Sequence, residues 1–207
     1  MSEVILSAED MRKRYGKRIL LDGFSLELRR GKAYGLIGAE KSGKSSALRG
    51  LLGLIKLDGG KVTWDIPRKF AGAAIDLPAF HRELSIRGNL QAQASLLKNK
   101  PDSGRISMLM EHLMIEEHFA GERSMRNLLT GQKQCAAIAM AMLGKPELLI
   151  LDEPMSALDD ECRKAFSDLF KEEYADKTAL LTAQEASDLD GIVTDFIYID
   201  GGRNAKG

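Results

Sequence analysis

The chain has 207 residues, enough to bury one good core with a small appended lobe. Its 30 basic and 30 acidic residues cancel, so no global field favours nucleic acid or an anionic membrane, and the cluster Arg12-Lys13-Arg14 with Lys17-Arg18 reads as a solvated edge. No apolar run approaches the ~20 residues that span a bilayer, no charged-then-apolar leader opens the chain, and the only cysteines, Cys135 and Cys162, form neither a metal spacing nor a disulfide framework; a soluble cytoplasmic protein with free thiols is expected.

In chain order, residues 4–7 and 19–28 have strand composition, and Phe24-Ser25-Leu26-Glu27-Leu28 alternates cleanly. The apolar run 33–37 reads as a buried strand. It leads into Gly38-Ala39-Glu40-Lys41-Ser42-Gly43-Lys44-Ser45, which fits G-x-x-x-x-G-K-[ST], and a helix over 46–52 follows. That context is what the motif needs, because phosphate is held by the N–H groups and dipole at a helix N-terminus. Lys44 is placed to reach the β and γ phosphates, and Ser45 to put its hydroxyl on Mg²⁺.

Asp58-Gly59-Gly60 is a turn into a strand at Lys61-Val62-Thr63-Trp64, and 71–75 is a short buried strand. From 85 to about 118 the pattern turns helical, with Met108, Leu109, Leu113 and Met114 apolar and 98–104 breaking it in two. The Met-bearing stretch 106–114 reads as core packing of a small helical lobe, since Met fills gaps. A helix after Gly131 runs to about 143. Leu148-Leu149-Ile150-Leu151-Asp152-Glu153-Pro154 then reads as a buried parallel strand tipped with acid, at the edge where α/β sheets bind ligands. Asp152 can hold Mg²⁺ through water, and Glu153 can polarise an attacking water. An amphipathic helix over 159–174 and strands at 178–182 and 193–199 complete an α/β nucleotide-binding lobe with a β-rich beginning and an inserted helical lobe.

With these residues the chain resembles, over nearly its full length, the ATP-binding subunit of an ABC transporter. Tyr15 matches the aromatic that stacks on adenine in that family, and Gly35-Leu36-Ile37-Gly38 through Ser45 matches the phosphate loop. Leu128-Leu129-Thr130-Gly131-Gln132 falls at the family signature, and Ser156-Ala157-Leu158-Asp159 follows the acidic strand as the dimer-contact loop does. Ile75-Asp76-Leu77-Pro78-Ala79-Phe80 looks like exporters of lantibiotic immunity and bacitracin resistance, which often carry a carboxylate where most members have glutamine.

The resemblance implies the P-loop NTPase fold of the ABC ATPases: one domain over 1–207, with a helical subdomain at about 79–130 inserted into a parallel-sheet core. It implies ATP and Mg²⁺ as cofactors. Nucleotide contacts fall on Tyr15, on Gly38, Ala39, Glu40, Lys41, Ser42, Gly43, Lys44, Ser45 and Ser46, and on Thr130, Gly131 and Gln132. Metal contacts fall on Ser45, Asp152 and Asp76, and catalytic roles on Glu153, Lys44, Gln184 and Asp76. Partners would be transmembrane permease subunits, touching an exposed 76–80 loop, and a second ABC domain, the same or a different chain, paired head-to-tail. That places the protein on the inner face of the cell membrane, exporting an antimicrobial peptide or similar amphipathic cargo.

Four departures qualify this. Glu40 and Lys41 replace the usual Asn-Gly, and if position 41 needs positive φ its side chain costs about 1 kcal/mol. Leu129 stands at the signature serine and cannot donate a hydrogen bond to a γ-phosphate, a loss of the kind that typically costs ~10²–10³ in rate. Cys135 stands where arginine is usual, and Gln184 where the family has its switch histidine. Two alternatives therefore stay open: a nucleotide-gated regulatory protein that hydrolyses weakly, and a non-transport ABC ATPase. The second would favour tandem domains, a coiled-coil insert or a basic surface, and the sequence has none of them.

Overall fold

The computed structural model describes residues 3–76, 80–98, 100–115, 125 and 128–207. In chain order the described elements are β1 (Val4–Tyr15), β2 (Arg18–Arg29), β3 (Ala33–Ile37), α1 (Lys44–Leu51), β4 (Gly59–Trp64), β5 (Ala71–Ala74), α2 (Ile86–Leu96) and α3 (Arg105–His112). Then come α4 (Thr130–Met142), β6 (Leu148–Leu151), α5 (Asp160–Tyr174), β7 (Thr178–Ala183), β8 (Asp195–Asp200) and β9 (Arg203–Ala205).

The strands form two sheets. One is antiparallel, in the order β2-β1-β4; the other has the order β5-β6-β7-β3-β8-β9 and is parallel except for β9. Strand β6 is apolar at every position because both faces are covered. Leu148 and Ile150 face a core shared with the antiparallel sheet and α1, built on Leu6, Phe24, Leu36 and Leu48. Leu149 and Leu151 face the opposite core, with Ile138 of α4 and Phe166 of α5. The period of two along one short strand thus joins the two layers.

Two strands differ from the sequence reading. Strand β1 continues past Ser7 to Tyr15, through bulged register with Asp10 in the left-handed region. The bulge breaks the alternation that would have revealed the strand. Strand β9 is exposed at all three residues, so it carries no apolar signal.

Between β5 and α4 lie α2 and α3, which both pack on α4. Leu90, Leu109, Met110 and Leu113 are buried there, as expected for core packing, while Met114 is exposed. Arg105, at the start of α3, is buried. Its guanidinium grips the Glu173 carboxylate of α5 with both Nη atoms, and Nη2 also donates to Met142 O at 2.8 Å. One side chain thereby ties the inserted helices to two helices of the sheet layer.

Candidate nucleotide site

Strand β3 lies at the centre of the parallel sheet, so the loop after Ile37 opens at its carboxyl edge, where such sheets bind ligands. The loop is fixed from three sides. Gly38 N–H donates to Ala183 O (3.2 Å), Ser42 N–H to Ala39 O (3.1 Å), and Gly202 N–H to Ser42 O (2.8 Å). Gly202 in turn accepts from Asp22 N–H (2.8 Å), so the β8–β9 turn clamps the loop to β2. Gly43 precedes α1 at φ 116, and a Cβ there would lie 2.8 Å from Leu20 O, so only glycine fits. Lys41 adopts φ 66, so the condition under which its side chain carries a backbone cost is met.

The side chain of Lys44 is only 4% exposed. Its ammonium donates to Gly38 O (2.5 Å) and Ala39 O (3.0 Å) and lies 3.2 Å from Glu153 Oε1. Beside it Ser42 Oγ is buried without a hydrogen-bond partner. The N-terminal N–H groups of a helix have no intrahelical acceptors either. A cation, free N–H groups and an orphan hydroxyl around one glycine-bounded loop fit a polyphosphate. Ser45 and Ser46 lie in the first turn of α1, partly exposed beside this cradle.

Strand β6 brings the two acids to the same edge. Thr182, fully buried in β7, donates from Oγ1 to Asp152 Oδ1 (2.6 Å) and accepts from Glu153 N–H (2.8 Å). Sequence reasoning passed over Thr182; its only signal is a hydroxyl inside the otherwise apolar run Ala179-Leu180-Leu181-Thr182-Ala183. Glu153, Ser156, Thr182 and Gln184 line one cavity of about 420 Å³, so the expected base and the glutamine in the switch position share a space.

The remaining expected residues lie elsewhere. Asp76 is exposed at φ 55, and its carboxylate is ion-paired with Arg49 of α1. Leu77, Pro78 and Ala79 fall outside the described residues, and Phe80 is half-buried against the core. Tyr15 ends β1 with 57% of its surface exposed. The Lys13 ammonium lies 4.7 Å from the Tyr15 ring centroid and 3.4 Å from Asp58 Oδ1. Asp58 Oδ2 accepts Arg14 N–H (2.8 Å). That backbone bond, with Lys13, holds the Asp58 carboxyl below its ordinary range.

Thr130, Gly131 and Gln132 open α4, and Gln132 accepts Leu129 N–H at 3.0 Å. Leu129 itself is 74% exposed and has no oxygen with which to cap the helix. A Cβ on Gly131 would come within 2.7 Å of Ala157 O, so the start of α4 lies directly on the 156–159 loop. Gly131, Gln132, Ala157 and Asp159 line a second cavity of about 360 Å³, distinct from the one holding Glu153.

Residues 21–156, which contain the phosphate loop, the signature position and the acidic strand, match the family described as ABC transporter. The chain belongs to the ABC transporter family. It is 31% identical over 215 residues to a daunorubicin resistance ATP-binding protein of Streptomyces coeruleorubidus, covering 98% of this chain and 66% of the relative. It is 30% identical over 217 residues to the bacitracin transport ATP-binding protein of Bacillus licheniformis, covering 96% and 68%. Nod factor export ATP-binding protein I of Ralstonia nicotianae is 29% identical over 220 residues, covering 98% and 66%. The chain thus spans about two thirds of the length of these relatives.

Solved structures agree in fold. An ATP-binding subunit of an ABC transporter superposes with TM-score 0.84 at 22% identity, covering 98% of this chain and 89% of that one. A dimeric post-hydrolysis state of an ATP-binding cassette, bound to ADP and Pi, gives 0.85 at 21% identity, covering 98% and 97%. Among the described residues no helix is long and apolar enough to cross a membrane.

Proposed function

We propose that this chain is the ATP-binding and ATP-hydrolysing subunit of an ABC exporter. The observation that carries the reading is the convergence of Lys44, at the phosphate loop, with the Glu153 carboxylate at the acidic strand tip. Bound ATP would lie with its adenine on Tyr15 and its phosphates cradled by the loop and helix start over residues 38–46, on those N–H groups that the loop itself leaves free. Lys44 would turn from its loop carbonyls to the β and γ phosphates. Ser45 and Asp152 would hold Mg²⁺, with Asp76 joining them if it leaves Arg49; the ion would neutralise charge between the phosphates. Glu153 would accept a proton from the attacking water, and Gln184, across the same cavity, would hydrogen-bond a phosphate oxygen.

The reading treats 1–207 as one ATP-binding domain, with the helices between about 79 and 130 as its moving lobe. A second ABC domain would supply Thr130, Gly131 and Gln132 of its signature to this chain's ATP, head-to-tail. Transport would be done by membrane subunits that hold the protein at the inner face of the membrane and touch the 76–80 region. The bacitracin and daunorubicin resistance relatives support an amphipathic or antimicrobial cargo. Slow hydrolysis, as in a nucleotide-gated regulator, is favoured by one observation: the exposed residue at the signature position is a leucine.

The test is calorimetric titration of Mg-ATP into the purified chain. One site per chain is expected; no binding overturns the reading.

A further inference from the structure

Tyr15 is the last residue of β1, Gly16 follows it at φ 56, and more than half of the tyrosine surface is exposed. A ring in such a place samples several rotamers unless a neighbour holds it. Two residues earlier on the same strand, the Lys13 side chain is only 11% exposed, and its ammonium lies over the Tyr15 ring, 4.7 Å from the centroid. An ammonium at that distance is attracted to the aromatic face. Because the Lys13 side chain is nearly buried, it meets the ring from the protein side, and the face left open is the one toward solvent.

Lys13 is held in turn by Asp58, in the turn before β4. The Asp58 carboxylate accepts from the Lys13 ammonium at 3.4 Å and from Arg14 N–H at 2.8 Å, and Asp58 N–H donates to Arg12 O at 2.8 Å. One acidic residue thereby ties down three consecutive residues of β1, and Tyr15 stands at the end of the tied segment.

We propose that Lys13 is a positioning residue for the nucleotide base, fixing the Tyr15 ring from its inner face so that the outer face is presented to the adenine of ATP. The assignment rests on the place given to the base in the function proposed above. A mobile ring must be ordered when a base docks on it, which lowers affinity, whereas a ring already held loses little freedom. The positive charge of Lys13 is opposed by the Asp58 carboxylate, so its effect falls on the base and not on the phosphates.

The experiment titrates Mg-ATP and inorganic triphosphate separately, by calorimetry, into the full natural chain, Lys13→Met, Lys13→Arg, Tyr15→Ala and the double variant Lys13→Met with Tyr15→Ala. Methionine keeps an unbranched side chain and removes the ammonium; arginine keeps a cation that can lie on the ring. Lys13→Met should weaken Mg-ATP about 2–5-fold, the scale of a partly exposed cation–ring contact, with triphosphate affinity unchanged. Lys13→Arg should bind ATP as the natural chain does, and Lys13→Met should cause no further loss once Tyr15 is alanine. Tighter ATP binding by Lys13→Met would show that the ammonium occupies the place of the base, and it overturns the inference. Unchanged ATP affinity, an equal loss for triphosphate, or the same loss in the Tyr15→Ala background overturns it as well, while the proposed function stands on the ATP bound by the natural chain. A natural chain that binds no Mg-ATP removes the proposed function, and the positioning role with it.

Discussion

The Lys44 ammonium lies 3.2 Å from the Glu153 carboxylate, joining the phosphate loop after β3 to the acidic tip of β6, although β7 lies between these strands. In the proposed function these are the cation that would meet the phosphates and the carboxylate that would take a proton from water, and the structure holds the two side chains together. Lys44→Ala removes the cation and leaves its acidic neighbour in place. Mg-ATP affinity should fall by about 10²-fold or more, the scale of losing a buried charged partner. Calorimetric titration checks this; unchanged affinity would remove the loop from the nucleotide site.

Thr182 sets the positions of both acids through one hydroxyl. Thr182→Val keeps the volume and deletes the two bonds, so turnover should fall about 10–100-fold, as for supporting bonds around metal ligands. Thr182→Ser should restore most of it. Steady-state kinetics with Mg²⁺ titration reads the effect; a weakened apparent Mg²⁺ affinity separates positioning of Asp152 from general destabilisation.

Tyr15 is exposed, and Lys13 lies over its ring. Tyr15→Ala should weaken ATP by about 0.5–1.5 kcal/mol, the worth of an aromatic stack. Inorganic triphosphate, which has no base, should bind as before. Equal losses for both ligands in parallel titrations would assign Tyr15 another role.

Arg105 and Glu173 form a buried pair between the inserted helices and α5. Arg105→Met leaves Glu173 without its cation and should cost about 3–5 kcal/mol in denaturant unfolding. Adding Glu173→Leu should recover much of that loss, because the stranded charge is then gone. A single substitution as mild as the double would show that the pair is solvated.

The candidate site was legible where residue type and spacing coincide. The phosphate loop and Asp152-Glu153 could be read because each follows a continuously apolar strand, and both faces of that sheet are in fact covered. What was not legible depends on contacts distant in sequence. Asp76 carries the carboxylate expected of it, but nothing local indicates that Arg49 holds it. Thr182 looks like an ordinary strand residue until Asp152 and Glu153 are placed beside it. The β1 bulge at Asp10 and the exposed β9 were missed because neither presents alternating apolar residues.

The most direct test is one steady-state ATPase assay of the isolated natural chain beside Glu153→Gln and the double variant Leu129→Ser with Gln184→His. Glu153 is the expected base, and Leu129 and Gln184 are the residues expected to slow the natural sites. The natural chain should hydrolyse slowly, Glu153→Gln should show no turnover above background, and the double variant should be faster than the natural chain. Hydrolysis by Glu153→Gln at the natural rate would contradict the assignment of the acidic strand tip as the centre of the reaction.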